Sequence, residues 1–229
     1  MEVSSLDLPA VTHGGERGRI LEFARLVEDS PARILLFIDA DTDRIRNLTP
    51  PTKVVLTDGR DLESYVLTPP CLEKVVRLGL SAESIDVKAL HAQLMDVALT
   101  AGAIRLVSDL EALALPFQRT DIRRHTQVRK DGSVEFDAAA YVQALLQNAG
   151  ISLSEREGII ARAQAVRETY TDAADLIHGK DAMHLLDVLL KDFGARRDEV
   201  RKMLWCSFDR ASANAYPNLL RVVSFLTSL

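Results

Sequence analysis

The stretch "RILLFIDADTDR", residues 33–44, decides how the rest of the chain is read. Ile34 to Ile38 are continuously apolar, as a parallel strand covered on both faces requires, and three aspartates two residues apart, Asp39, Asp41 and Asp43, follow at once. Carboxylates at the C-terminal end of such a strand sit where open α/β sheets place their ligands. If the segment stays extended, Asp39 and Asp41 face the same way, about 6 to 7 Å apart along the chain. Such a pair repels strongly without a cation, and hard divalent ions prefer these oxygen ligands. A strand terminus with one aspartate capping the next turn is the plainer alternative.

Outward from this stretch the pattern alternates. "LPAVTHGG" reads as a short strand ending in glycines, and "ERGRILEFARLVED" as a helix with apolar residues at Ile20, Leu21, Phe23, Ala24 and Val27. A second β-branched run, Val54 to Thr57, precedes a turn at Asp58-Gly59. These elements predict a parallel α/β core over residues 1–70. Residues 71–229 read as a mainly helical elaboration, with a long helical region over 71–115 broken near "LGLSAESID". Further on, the sequence predicts a hairpin around Asp131-Gly132, a helix ending at Gly150, and a capping box from Ser154 to Glu157.

Composition bounds the function. The 229 residues suffice for a real core, and 47% hydrophobic with 27% charged residues is ordinary for a globular protein. A net charge of −5 supplies no general basic field for nucleic acid or anionic membrane, so a polyanion has to be met by a local patch. "RTDIRRHTQVRK" is the best such patch. Cys71 and Cys206 form no CxxC pattern, which points to a reducing, cytoplasmic setting without disulfide or zinc site. No apolar run approaches the roughly 20 residues that span a bilayer, and no signal peptide is expected at the start.

Two further clusters carry possible chemistry. "TDGRDLESYVL" brings Asp58, Asp61 and Glu63 just after the second run, where they could close on the same cation as Asp39 and Asp41. Alone it also reads as a turn followed by an acidic helix start. "LIHGKDAMHLLDVLL" offers Gly179, Lys180, His178 and His184. A lysine beside acidic ligands can offset charge on a phosphate in transfer, and the same lysine could simply be solvated. "HGGERGR" lacks the P-loop and dinucleotide spacings. The calcium-loop pattern fails at Arg44 and Pro50. A phosphatase with Asp39 as nucleophile survives as a weaker option.

In order, "FIDADTD", "LTDGRDLESYVL" and "HGKDAMHLL" resemble the motifs of the TOPRIM-like family related to the overcoming-lysogenization-defect nucleases. The likeness is to the branch that accompanies ABC-type ATPases in anti-phage defence, including the PARIS system, and it covers roughly residues 8–190. It implies a TOPRIM-like, Rossmann-like parallel sheet to which the chain returns near residues 175–190. It also implies a Mg²⁺- or Mn²⁺-dependent nuclease, with an ABC-type ATPase as possible partner. On that likeness Asp39 and Asp41 match the metal-binding DxD, Glu63 the acid of the "D-(I/L)-E" segment, and Lys180 the lysine of "GKD". One departure stands out: the strand ending in Glu-Gly that opens the family's domain has no counterpart, since neither Glu2 nor Glu16 precedes a glycine at a strand end. A minimal or truncated enzyme, or an inactive TOPRIM-like module binding a partner or nucleic acid, follow from it as alternatives.

Overall fold

The computed structural model describes residues 17–170, 173–194 and 196–228, so the first strand expected over "LPAVTHGG", together with Glu2, Glu16 and the glycines at 14 and 15, lies outside the described residues. Helix α1 (Arg17–Leu26) leads into strand β1 (Leu36–Ile38), which pairs in parallel with β2 (Val54–Leu56), Leu36 opposite Val54 and Ile38 opposite Leu56. The period of two in a strand then sorts the side chains. Leu36, Ile38, Val54 and Leu56 pack with Leu21 and Ala24 of α1. Phe37, on the opposite side, lies 6.4 Å from the Tyr65 ring.

β2 is buried throughout, whereas β1 is only half-buried. The expectation of a strand covered on both faces along Ile34 to Ile38 is met by β2 rather than β1. Only three residues of the apolar run are strand, and among the described residues β2 alone borders them.

The larger core is helical. After the 3₁₀ turn Leu62–Tyr65 come α2 (Pro69–Lys74), a π-type turn Val75–Gly79 and α3 (Val87–Leu110). The break near "LGLSAESID" is present: Asp86 caps α3 by accepting from the backbone N–H groups of Lys88 and Ala89 at 3.0 Å each. Strands β3 (Thr126–Val128) and β4 (Val134–Phe136) form the expected antiparallel hairpin. Helix α4 (Ala138–Ala149) stops at Gly150, whose φ of 69° is the left-handed C-terminal conformation. The Ser154–Glu157 capping box is not formed. Ser152 caps instead, accepting from the Ser154 N–H at 3.3 Å, so the chain enters α5 (Arg156–Thr169) through a 3₁₀ turn.

Helices α6 (Ala173–Leu176) and α7 (Gly179–Leu189) then return the chain to the β-sheet end, followed by α8 (Arg197–Ser207), α9 (Arg210–Ala213) and α10 (Pro217–Thr227). Residues from Val66 to Leu204 share one continuous apolar core, with Leu94, Leu145, Leu146 and Leu186 fully buried. The architecture is α/β: a predominantly helical body carrying a small parallel sheet and a small antiparallel one. No described helix is long and apolar enough to cross a membrane, and neither cysteine is in a disulfide.

Candidate functional site

Three segments distant in sequence meet at the C-terminal end of the parallel pair. The first is the loop after β1. Its backbone leaves the extended conformation beyond Ile38, and Asp41 stands at φ 50°, a left-handed position that aspartate tolerates better than most residues. Asp39 and Asp41 therefore do not share a face through strand pleating. Three contacts hold this loop: the Ala40 N–H donates to Thr57 Oγ1 (2.9 Å), the Asp41 N–H to the Arg60 carbonyl (2.8 Å), and Arg17 to the Asp39 carbonyl. Arg17 also pairs with Asp43 and lies 3.4 Å from the Asp41 carboxylate, so the last two acids of the triplet have a cation beside them.

The second segment is the turn after β2. Asp58 is fully engaged elsewhere: Oδ1 accepts from the Asn218 N–H (2.9 Å), and Oδ2 accepts from the Leu219 N–H (3.0 Å) and the Tyr65 hydroxyl (2.9 Å). Its carboxylate caps α10 and is directed away from the other acids. Asp61 and Glu63, by contrast, are buried on the near side, 5% and 7% exposed. The Leu62 N–H between them donates to Asp39 Oδ1 at 3.1 Å, which ties the second segment to the first.

The third segment is the start of α7. The Gly179 N–H donates to Asp61 Oδ2 at 2.7 Å. A Cβ at this glycine would stand 2.3 Å from the Glu63 Cβ and 2.4 Å from Asp61 Oδ1, so only glycine lets the helix start approach the acids. Lys180 follows, and its charge acts on Asp39. Asp181 fixes this helix start from behind: buried, it accepts from Arg105 Nε at 2.6 Å and Nη2 at 2.8 Å. The fork-on-carboxylate geometry is the strong form of ion pair.

The electrostatics are those of crowded acids. Burial pushes the Asp39 carboxyl up, opposed by the Leu62 N–H bond, and Asp41 and Glu63 push it further. Burial drives Asp61 to about 7, against its bond from Gly179, with Glu63 and Asp39 adding to the rise. Asp61 Oδ1 is buried and has no hydrogen-bond partner among the described residues. An unmade bond at a buried carboxylate oxygen is costly, and such atoms are uncommon in folded proteins. One residue before Gly179, burial pulls His178 down to about 3, so that ring is neutral at any ordinary pH.

Of the predicted site residues, the fold gathers Asp39, Asp61, Glu63 and Lys180, keeps Asp41 at the exposed rim, and commits Asp58 to α10. Among the described residues, no three Asp, Glu, His or Cys side chains stand close enough together to hold an ion as they are. Arg201 of α8, which no motif signals, reaches Glu63 Oε1 with Nη2 at 3.4 Å. Beyond that contact a cavity of about 260 Å³ opens between α7 and α8, lined by Glu63, Lys180, His184, Asp187 and Arg201 among others. No family model matches the chain, and neither a curated protein nor a solved structure is significantly similar to it.

Proposed function

We propose that this chain is a divalent-cation-dependent phosphodiesterase of TOPRIM-like type that cuts nucleic acid. The observation that carries the reading is the buried Oδ1 of Asp61, without a partner among the described residues and set near Asp39 and Glu63 where three remote segments meet. Carboxylates crowded in this way are stabilised by a cation, and an oxygen donor set of aspartates and glutamate suits Mg²⁺ or Mn²⁺. Asp39, Asp61 and Glu63 would hold the ion, with Asp41 at the rim. The side chains of Asp39 and Glu63 would rotate inward to do so, because they stand apart without it.

The bound cation would supply Lewis-acid stabilisation and an activated water. The chain's own residues do the rest. Lys180 would provide a positive charge for a phosphate oxygen, from a helix start that the Asp181–Arg105 pair anchors. The Gly179 N–H holds one oxygen of Asp61 and the Leu62 N–H one oxygen of Asp39, which leaves the second oxygen of each to a cation. An anti-phage role beside an ABC-type ATPase rests on the motif resemblance alone.

The test is incubation of the purified protein with plasmid, single-stranded DNA and tRNA, with Mg²⁺ or Mn²⁺ and then EDTA. Cleavage should require the cation and fall by at least about a hundredfold in Asp39→Asn combined with Glu63→Gln. Cleavage that persists in the double variant would remove these residues from the chemistry. A second reading, a TOPRIM-like binding module without catalysis, is favoured by the Arg201–Glu63 contact, which already neutralises one acid. Cation-independent oligonucleotide or protein binding with no cutting would promote it.

A further inference from the structure

A second cleft, of about 620 Å³, forms where Arg105 of α3, the segment 113–119 and the C-terminal end of α4 meet. Leu113, Leu115, Phe117 and Ile151 give it apolar walls, Arg105 and Arg119 are its charged members, and no acidic side chain among the described residues lines it. The acids nearest in sequence are engaged: Asp109 faces Arg60 at 3.7 Å, Glu111 holds Arg162 at 2.5 Å and Asp121 holds Arg123 at 2.7 Å. Arg105 is fixed in advance. Its Nε and Nη2 donate to the buried Asp181, and its guanidinium carbon lies 4.1 Å from the centre of the Phe117 ring. Its Nη1 has no hydrogen bond among the described residues and is not sealed from solvent. Because Asp181 already balances its charge, Arg105 contributes directed N–H donors, and the uncompensated charge comes from Arg119, which forms no ion pair among the described residues.

The wall is preformed. Ala112 and Ala114 stand at φ 54° and 50°, a left-handed conformation that costs about 1–2 kcal/mol each, and the Leu113 and Leu115 N–H groups hold it by donating to the Ser108 carbonyl (2.9 Å) and hydroxyl (3.1 Å). The negative end of α4 would oppose an anion, but the Gly150 and Ile151 N–H groups occupy the Gln147 and Leu146 carbonyls at 3.2 and 3.0 Å. We propose that this cleft binds a small organic anion, a carboxylate or phosphate group carried on an apolar body. The anionic group meets Arg105 Nη1 and Arg119, and the body lies against Leu115, Phe117 and Ile151. A guanidinium already immobilised loses little freedom when it binds, and apolar walls with a few directed polar groups are the usual setting for such ligands. The site shares no residue with the acids and stands whether or not they hold a cation.

Methyl-resolved NMR titrations of the full chain test it with benzoate and phenyl phosphate, against benzamide, which has the shape of benzoate without its charge. One or both anions should shift the Leu113, Leu115 and Ile151 methyl signals with a Kd on the order of 1 mM, the tighter of the two telling carboxylate from phosphate. Benzamide should bind at least about tenfold more weakly. Removing Arg105 would strand the buried Asp181, so the variants are at two exposed positions, Arg119→Ala and Ala149→Trp, the second filling the cleft from the last residue of α4. Arg119→Ala should weaken the anions about three- to tenfold at an unchanged melting temperature, Arg119→Lys should restore part of that loss, and Ala149→Trp should abolish binding. No shift of these methyls by either anion at about 10 mM, equal binding of benzamide and benzoate, or unaltered binding in Arg119→Ala overturns the proposal.

Discussion

Asp61 carries a conflict that a single atom change resolves. Its carboxyl titrates near 7 in the folded chain against 3.8 as a free side chain, chiefly because it is buried. The folded state therefore holds a proton that the unfolded state releases between those values. The resulting destabilisation is absent below about pH 4, grows as pH rises, and is complete above about pH 7. Asp61→Asn removes the charge and keeps an oxygen to accept from Gly179, so it should stabilise the protein at pH 8 by roughly 1–3 kcal/mol, a gain that vanishes near pH 4. Denaturant titrations at the two pH values check this. The same variant should lose cation binding, the trade of stability against function common at such sites. His178 runs the other way: with its ring drawn down to about 3, acidification below its free value of 6.5 costs stability, so the two groups partly cancel in the native protein. Asp39, Asp61, Glu63 and Lys180 were legible as candidates because each follows an apolar run or opens a glycine-led helix. The fate of Asp58 was not. Besides the nearby Tyr65 hydroxyl, its partners are backbone N–H groups 160 and 161 residues away, which carry no side-chain signature.

At the scale of elements, two joints hold the site in shape. Gly102 lies inside α3, where glycine normally costs about 1 kcal/mol against alanine. It is needed because a Cβ there would meet the Leu176 carbonyl oxygen at 2.2 Å, at the end of the short helix that leads into Gly179. Gly102→Ala should therefore destabilise by about 1–3 kcal/mol in spite of its better helix propensity, and should lower activity by displacing Lys180. Chemical denaturation and a cleavage assay read the two effects. The second joint is Asp58 against α10, backed by the edge-on Tyr65–Tyr216 pair at 4.6 Å. Asp58→Ala should cost about 1–2 kcal/mol and raise hydrogen exchange in α10 ahead of the remaining helices. Elements with strong local signals, such as α4 with its Gly150 terminus and the β3–β4 hairpin, were readable from residue pattern. The capping box was misread because Ser152 and Ser154 compete for the same end, and a 3₁₀ turn satisfies both hydroxyls.

Across the whole molecule, a small parallel sheet serves mainly to deliver loops, and a helical body brings α7 back to meet them. The sequence texture announces this division, strands early and helices later, but not the smallness of the sheet. Three half-buried residues suffice for β1 because α1 covers one side and Tyr65 lies against the other. With a net charge of −5 the chain offers a polyanion no general basic field, so the proposed nucleic-acid substrate would have to meet a local cationic feature. The central claim, that Asp39, Asp61 and Glu63 share one divalent ion, is tested most directly by the anomalous difference map of a crystal soaked in Mn²⁺ at pH 8. It should hold a peak within about 2.0–2.3 Å of a carboxylate oxygen from each of the three, including Asp61 Oδ1. A map with no peak there, and with Asp61 Oδ1 still facing packed protein, would contradict it.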